Sequence, residues 1–421
     1  MFESSRQAIR FCTIKRGMGC VICKTTMYYI HIDCNSYFAS CEIATRPEME
    51  GKAVVVANDN ENGGGVILAL NAEAKALGLT RGIPLFKVRK KLEAEHVEIC
   101  TADHRKYRRI SKEIMDGVME QGIVQDFVQY SVDEFFGTLP LDDPDELRFY
   151  SAKVRDLIWE SNHIAVGCGL SQSYTLAKVA THFAKRHKGY DGICILPPEK
   201  REKALALLTV GEVWGIGRQN RKHLESAGIR TALDLAKAPE AQIVKLLNTA
   251  GVHTWMELNG KPAVTLASHE RQKSIMQSHT FAVMINEKEG LEEAMVGFAS
   301  RCAAALRHQE SLCSVVTVFV ATNRYRDDLA QYRNKATCKL EKPSSDTSVI
   351  IKAATALLDT LYRQGYMYKQ AGVVLSGIEP DEGHQLDLFS VENDERRQRL
   401  MSVADSINHK FGPDSITFGK H

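Results

Sequence analysis

Residues 28–42 read YYIHIDCNSYFASCE. The first six of them alternate and are rich in aromatic and β-branched side chains, which predicts a β-strand that ends at Asp33. A turn follows, and the stretch from Phe38 to Ala44 has the pattern of a helix. A carboxylate at the end of an apolar strand is expensive to bury unless a cation neutralises it. Asp33 is therefore the first candidate for a functional side chain.

A second acidic site lies at residues 131–135, which read SVDEF. Asp133 and Glu134 fall at the tip of a predicted strand–turn–strand. Proteins hold Mg²⁺ with few carboxylates and a substrate phosphate, and two such ions about 4 Å apart support phosphoryl transfer. The residues alone leave a second interpretation open. In it, Asp33 caps a helix and Asp133 and Glu134 form an exposed hairpin turn.

Length and composition limit the class of protein. The chain has 421 residues, which corresponds to about three domains at roughly 150 residues each. Hydrophobic residues make up 44% and charged residues 25%, values typical of a folded globular protein rather than a disordered or collagen-like one. Lys and Arg number 54 against 52 Asp and Glu, so a uniformly basic surface is excluded while local basic grooves are not.

Two further features of the sequence indicate where in the cell the protein is located. No stretch approaches the ~18 consecutive apolar residues of a membrane span, so we expect no membrane partner. The eleven cysteines are scattered and have no framework spacing. They predict reduced thiols, and hence a cytoplasmic protein.

The pattern of predicted elements changes twice along the chain. Up to residue 198, strands alternate with helices, which favours an α+β sheet domain. A wholly helical stretch follows, and then a β-α-β-β-α-β unit. The expected domains are an extension at 1–26, a sheet domain at 27–198 with an insertion at about 38–100, a helical domain at 199–267, a linker at 268–274, a four-stranded domain at 275–379 and a tail at 380–421.

Six segments, in this order, resemble the Y-family of translesion DNA polymerases. They are residues 28–42, 51–56 (GKAVVV), 71–78 (NAEAKALG), 131–135, 169–178 (GLSQSYTLAK) and 213–218 (VWGIGR). Several of them, with KQAGVVL at 369–375 and QLDLF at 385–389, are similar to the catalytic subunits of bacterial DNA polymerase V. The resemblance covers about residues 27–418. It implies a multidomain α+β right hand, with an α/β palm and fingers, a helical thumb containing a helix-hairpin-helix, and a little finger.

The resemblance also implies roles for the acidic residues. Asp33, Asp133 and Glu134 match the three metal-binding carboxylates of the palm, and the backbone carbonyl of Cys34 matches a further metal ligand. Two Mg²⁺ ions and attack of a primer 3′-hydroxyl on a deoxynucleoside triphosphate are implied with them. The interpretation from the residues agrees, since carboxylates that hold two cations stabilise the charge that develops in phosphoryl transfer.

Four residues are candidates for nucleotide binding. Phe38 matches the steric gate that excludes a ribose 2′-hydroxyl, and the N–H groups of Tyr37 and Phe38 open a helix, where phosphate oxygens are favoured. Lys75 matches a basic residue of the fingers that contacts the triphosphate. Tyr174 stands where the family commonly has a lysine, and a phenol brings a hydrogen-bond donor but no charge. Lys178 is a candidate to replace that charge, although its place in the helix is less suited. From the residues alone, Phe38 is also compatible with a core position and Lys75 with a solvated one.

The segment around residue 215 predicts contact with DNA. Gly215, Gly217 and Arg218 belong to a helix-hairpin-helix pattern whose G-x-G turn lets the backbone approach phosphates. Such contacts position DNA without reading its sequence. An ordinary turn within a helical bundle is the alternative. Residues 324–342 add six Lys and Arg against three Asp and Glu, a mildly basic surface.

The tail contains a candidate docking peptide. Gln385, Leu386, Leu388 and Phe389 of QLDLF resemble the pentapeptide that binds the bacterial sliding clamp. Packing of this segment on the chain's own little finger is the alternative.

These features together predict an error-prone, template-directed DNA polymerase that performs translesion synthesis in DNA repair and the SOS response. Primer–template DNA, deoxynucleoside triphosphates and the sliding clamp are its expected partners, with a UmuD-like accessory subunit and RecA as further candidates. Two alternatives stay open. One is another palm-fold phosphoryl transferase, such as a nucleotide cyclase, and the other is a non-catalytic scaffold that the clamp tethers at stalled forks.

Overall fold

The computed structural model describes residues 27–58, 65–266, 271–381, 391–412 and 415–417. The predicted extension at 1–26 and the QLDLF segment lie outside the described residues. The chain divides into two compact units. The first comprises residues 27–57, 67–83 and 90–266. The second comprises the described residues from 271 onward, together with 58, 65–66 and 84–89.

Strands and helices alternate in the first half of the chain, as the sequence predicts. The strands are β1 (Tyr28–Cys34), β2 (Val54–Ala57), β3 (Ile67–Leu70), β4 (Glu98–Thr101), β5 (Gln125–Gln129), β6 (Glu134–Leu139), β7 (Val166–Ser171), β8 (Ile193–Ile195), β9 (Ile275–Ile285), β10 (Ser311–Thr322), β11 (Arg333–Ser344) and β12 (Tyr368–Pro380). The helices are α1 (Tyr37–Thr45), α2 (Ala72–Ala76), α3 (Leu85–Ala94), α4 (His104–Gln121), α5 (Pro144–Asn162), α6 (Tyr174–Arg186), α7 (Pro198–Ala206), α8 (Arg218–Ser226), α9 (Ala232–Lys237), α10 (Glu240–Leu246), α11 (Thr249–Leu258), α12 (Lys288–His308), α13 (Thr347–Leu361) and α14 (Val391–Phe411).

The central sheet of the first unit has the order β5-β6-β1-β7-β8. Strand β1 lies in its middle and pairs antiparallel with both β6 and β7. Because successive side chains of a strand point to opposite faces, β1 has apolar side chains on one face of the sheet and polar side chains on the other. Ile30 and Ile32 pack into a core with helices α4 and α5, while His31 and Asp33 face α6. The polar set of β1 therefore lies on the α6 face of the central sheet.

A smaller sheet and a helical region complete the first unit. The small sheet has the order β3-β2-β4, with β2 parallel to β4. The helical region, α7 to α11, packs its apolar side chains against α6. Glu257 of α11 is buried, and its Oε2 accepts hydrogen bonds from the Thr175 N–H and Oγ1, both at 2.7 Å. This carboxylate joins the end of the helical region to the first turn of α6.

The second unit has the predicted β-α-β-β-α-β order, with its sheet arranged β11-β10-β12-β9 and helices α12 and α13 packed on one core. It also contains α14, where the sequence predicted only a polar tail. An ion pair with α12 and buried side chains of α14 are among the contacts that hold this helix. Arg307 of α12 donates to both carboxylate oxygens of Asp405 at 2.7 Å, and Met401 and Ala404 are buried.

A search for membrane-spanning segments covered the described residues. None of their helices is both long and apolar enough to cross a lipid bilayer.

Candidate functional site

The strand register brings two of the predicted carboxylates together. Asp33 is the direct partner of Glu134 in the antiparallel pairing of β1 with β6. Both residues are at strand ends, and both side chains are about one-fifth to one-quarter exposed. A pair of acidic residues more than a hundred positions apart in sequence is thus placed at one end of the α6 face, open to solvent on one side.

Two lysines of α6 neutralise this acidic pair. Lys185 Nζ is 2.5 Å from Asp33 Oδ1 and 3.5 Å from the carbonyl oxygen of Cys34. Lys178 Nζ is 2.9 Å from Glu134 Oε1. The two lysines are seven residues apart, about two helical turns, so they lie on one face of α6. Sequence reasoning missed Lys185 and treated Lys178 only as a weak substitute for a lysine at 174, although their spacing was a usable signal.

The electrostatic surroundings of Glu134 favour its charged form. Burial alone would raise the pKa of this carboxyl, but neighbouring His31 and Lys178 outweigh burial and hold the pKa at about 2. His31 Nε2 is 3.7 Å from Glu134 Oε1, which is beyond hydrogen-bond length, so Lys178 is the direct partner. His31 itself is buried, which lowers its pKa, and its Nδ1 is 2.9 Å from Thr181 Oγ1.

The third predicted carboxylate is held by its own turn. Ser131 Oγ donates to Asp133 Oδ1 at 2.6 Å, and the Glu134 N–H donates to the same Ser131 Oγ at 3.1 Å. The backbone of this turn is tied to β1, because the Cys34 N–H donates to the Asp133 carbonyl at 2.9 Å. Within the described part of the chain, no three acidic, histidine or cysteine side chains converge as a preformed metal site.

The donor set nevertheless suits hard divalent cations. Asp33, Glu134 and the Cys34 carbonyl supply oxygen ligands, which Mg²⁺ prefers. The ammonium groups of Lys178 and Lys185 lie beside these oxygens, where the positive charge of a cation would lie. The chemistry of the site therefore fits cations as the sequence predicts, provided that Lys178 and Lys185 move aside or share the carboxylates.

Three of the four candidate nucleotide-binding residues, Tyr37, Phe38 and Lys75, lie around the start of α1. Lys75 Nζ donates to Ser36 Oγ at 2.9 Å, so this lysine reaches the turn between Asp33 and α1. Ser36 is the N-cap residue with φ 47°, a left-handed conformation. The first N–H groups of a helix have no partner within that helix. Tyr37 and Phe38 thus stand at a helix start that Lys75 makes more positive.

The ring of Phe38 is backed by a second aromatic ring. It is stacked on Tyr107 of α4, with centroids 4.3 Å apart and planes at 15°. The His104 ring is nearly perpendicular to it, with the two centroids 5.5 Å apart. Phe38 is only partly buried. One face of the ring is therefore supported by the protein, as a steric gate requires.

Tyr174 packs among other aromatic side chains. Its ring lies 4.6 Å from that of Tyr29 and 5.0 Å from that of Phe136. Burial raises the pKa of its phenol to about 12. The structure places it at the opposite end of β1 from Asp33, whereas Lys178 and Lys185 approach the acidic pair.

The candidate DNA-binding hairpin lies in the helical region. Gly215 has φ +83°, and a Cβ there would press on Thr254 Oγ1 at 2.6 Å, so the turn requires glycine. Gly217 is the N-cap of α8, and Arg218 is its first residue. Trp214, the residue before Gly215, lines an open cavity of about 390 Å³ together with Asp33 and Lys185. The hairpin is thus close to the acidic pair.

Comparison with solved structures defines the class of fold. A Y-family DNA polymerase chimera of Dbh and Dpo4 matches 84% of this chain over 99% of its own length, with a TM-score of 0.66 and 20% identity. An insertion ternary complex of Dbh DNA polymerase matches 84% of the chain and 99% of its own, with a TM-score of 0.53 and 19% identity. The fold is that of a Y-family DNA polymerase, and the predicted α+β right hand is confirmed.

Sequence comparison defines the family. The model described as impB/mucB/samB family matches residues 32–182, and that of its C-terminal domain matches 272–388. Protein UmuC of Salmonella typhimurium is 33% identical over 392 residues, which cover 92% of each chain. Protein MucB of Escherichia coli is 33% identical over 92% of this chain and 91% of its own. DNA polymerase IV of Streptomyces coelicolor is 30% identical over 87% of this chain and 74% of its own. The chain belongs to the impB/mucB/samB family.

Proposed function

We propose that this protein is a template-directed DNA polymerase that extends primers past damaged bases by two-metal nucleotidyl transfer. The observation that carries the proposal is the pairing of Asp33 with Glu134 beneath two lysines, at one end of the central sheet of a Y-family fold. The relatives named DNA polymerase IV support the activity. A nucleotide cyclase would need neither the hairpin at 213–218 nor the second unit.

In this proposal, Asp33, Asp133, Glu134 and the Cys34 carbonyl hold two Mg²⁺ ions. The ions supply electrostatic stabilisation of the attacking and leaving oxygens. The chain's own contribution is placement. The register of β1 with β6 fixes two carboxylates opposite each other, and the turn at Ser131 fixes the third. Replacement of any one of them is expected to slow extension by orders of magnitude and to leave DNA binding largely intact.

The triphosphate is bound by residues around the start of α1. Lys75 and the N–H groups of Tyr37 and Phe38 provide positive charge and donors for its oxygens. Lys185 is a further candidate, because its ammonium group already neutralises Asp33. Phe38, supported by Tyr107, excludes the ribose 2′-hydroxyl by contact. The aromatic packing of Tyr174 favours a supporting role for this residue rather than contact with phosphate.

DNA is held by the hairpin and by the second unit. Gly215, Gly217 and Arg218 contact backbone phosphates, and the exposed basic side chains of β11 track the duplex. The family resemblance further supports docking of Gln385, Leu386, Leu388 and Phe389 on a sliding clamp. A UmuD-like subunit and RecA are proposed partners on the same ground.

Primer extension tests the activity. Wild type and the Asp133→Ala/Glu134→Ala double variant are compared on undamaged and abasic templates with Mg²⁺. We expect extension by the wild type alone, with equal DNA affinity of the two proteins. If the wild type stays inactive after the clamp, the accessory subunit and RecA are added, the polymerase proposal fails and the scaffold alternative takes its place.

A further inference from the structure

The ammonium group of Lys178 lies among three aromatic rings. Its Nζ is 5.1 Å from the ring centroid of Tyr130, 5.8 Å from that of Phe136 and 5.1 Å from that of Trp214. Rings at these distances attract a cation through their quadrupoles. The same Nζ is 2.9 Å from Glu134 Oε1. The polar partner of this lysine is therefore the catalytic carboxylate, and its other neighbours include three ring faces.

The three rings come from two parts of the first unit. Tyr130 follows β5 and Phe136 lies in β6, whereas Trp214 belongs to the helical region. Trp214 Nε1 donates to Tyr130 Oη at 3.2 Å, with the two rings perpendicular at 5.4 Å. Its ring is also 5.5 Å from that of Phe136. Trp214 thus closes a cage, defined here as the rings of Tyr130, Phe136 and Trp214, over Lys178.

Trp214 is also the residue directly before the candidate DNA-binding turn. The left-handed conformation of Gly215 and its close approach to Thr254 fix the backbone at this point. A shift of the hairpin would therefore move the indole relative to Tyr130 and Phe136. The same side chain contacts the central sheet through its ring and adjoins the hairpin through its backbone.

We infer that Trp214 is a positioning residue that acts on Glu134 through Lys178. With the indole in place, the cage keeps water and alternative rotamers away from Lys178, and its ammonium group stays against Glu134. Without the indole, the lysine is free to extend into solvent, as long cationic side chains do, and the carboxylate loses its fixed partner. The catalytic meaning of this inference rests on the proposed function.

Steady-state kinetics with Trp214→Phe, Trp214→Ala, Lys178→Met and Trp214→Ala/Lys178→Met test it. At saturating DNA and nucleotide, we expect Trp214→Ala to lower kcat about tenfold, with the KM for nucleotide changed less than twofold, and Trp214→Phe to retain most of the rate. In the Lys178→Met background, Trp214→Ala should have no further effect. Independent, multiplicative losses in the double variant would overturn the inference, as would a loss confined to DNA affinity.

A second measurement does not depend on activity. The chain has three tryptophans, at 159, 214 and 255, so Trp159→Phe/Trp255→Phe leaves Trp214 as the single emitter. We expect Lys178→Met and Glu134→Gln to change its emission, because each disturbs the cation beside the indole. Asp33→Asn, which disturbs Lys185 instead, is the matched control and should leave the emission unchanged. Equal spectra for Glu134→Gln and its parent would overturn the inference. If the emission changes as expected but the wild type never extends primers, the proposed function fails, whereas the contacts from Trp214 through Lys178 to Glu134 are still supported.

Discussion

At the scale of single residues, the position of the Phe38 ring depends on the side chain behind it. Tyr107 is buried, and its hydroxyl donates to Glu42 Oε1 at 2.7 Å. Glu42 is itself buried and accepts from Lys106 Nζ at 2.6 Å and from Arg46. The ring under Phe38 is therefore fixed by a charged network, and the gate has a rigid support.

We predict that this support contributes to sugar selection. Tyr107→Leu, which lets Phe38 retreat, should raise ribonucleotide relative to deoxynucleotide incorporation about tenfold, equivalent to ~1.4 kcal/mol of discrimination. Tyr107→Phe keeps the stacked ring and is the control, expected to select as the wild type does. Competition of the two nucleotide types in single-turnover extension measures the ratio. An unchanged ratio in Tyr107→Leu, with folding verified by circular dichroism, would contradict the role of the support.

The buried His31 makes the first unit sensitive to acid. Burial lowers its folded pKa below the usual value of about 6.5, so the unfolded chain binds more protons as the pH falls through that value. Its contribution to stability is present above about pH 6.5 and is lost below. The free energy of unfolding of the wild type relative to His31→Gln should fall between pH 7.5 and 5.5, by at most about 1.4 kcal/mol per pH unit. Urea unfolding of both proteins measures this difference, and a flat difference would show that His31 does not titrate.

At the scale of elements, the approach of α6 to β7 determines where the two lysines point. A Cβ at Gly169 would overlap the Ala177 carbonyl and the Thr181 N–H of α6. These are backbone atoms and cannot rotate away. The absence of a side chain at Gly169 therefore lets the helix lie close enough for Lys178 and Lys185 to reach Glu134 and Asp33.

We predict that Gly169→Ala destabilises the first unit by ~3 kcal/mol or more, because the overlap forces α6 away from the sheet. Gly117→Ala, in the interior of α4 with open space around it, is the matched control. It should be neutral or stabilising by up to ~1 kcal/mol through helix propensity. Thermal and urea unfolding followed by circular dichroism compare the two. Similar stabilities for both variants would show that α6 does not need this close approach.

At the scale of the whole molecule, each hydrophobic core lies within one of the two units of the chain. One core contains residues between 28 and 193, a second those between 176 and 258, and a third those between 275 and 375. The third core belongs to the second unit alone. Helix α14 joins that unit through Arg307, which also donates to the Ser345 carbonyl at 2.6 Å and to Thr347 Oγ1 at 3.0 Å.

We predict that a fragment of residues 271–421 folds cooperatively and keeps α14 docked. Arg307→Ala should lower its free energy of unfolding by roughly 2–4 kcal/mol, since it leaves Asp405 and two acceptors without a partner. Arg326→Ala removes an exposed ion pair with Asp328 and is the control, with a much smaller expected effect because solvent screens exposed pairs. Thermal unfolding of the three fragments gives the comparison. Equal losses for the two variants would mean that the Arg307 pair does not hold the helix.

The parts of the molecule that could be predicted are those with a local pattern. Alternation in residues 28–33 predicts β1, and the apolar flanks of Asp133 and Glu134 predict a strand beside them. The order of elements after residue 275 is readable for the same reason, since period and turn residues are properties of neighbours in sequence. Helix α14 was missed because the contacts that hold it, among them the Arg307–Asp405 ion pair and the buried side chains of Met401 and Ala404, leave no periodic trace in the sequence.

Contacts between distant residues had no such signal. Lys178 and Glu134 are 44 residues apart, and His31 and Thr181 are 150 apart. Whether they meet depends on strand register, on the side of the sheet where α6 lies and on the missing Cβ of Gly169. The sequence was therefore enough to single out the acidic residues as candidates and, through its resemblance to the Y-family, to predict the right-hand polymerase fold, because both depend on short, ordered segments. The ion pairs of α6 and the cage over Lys178 arose from packing, because their partners become neighbours when the sheet and helices are assembled.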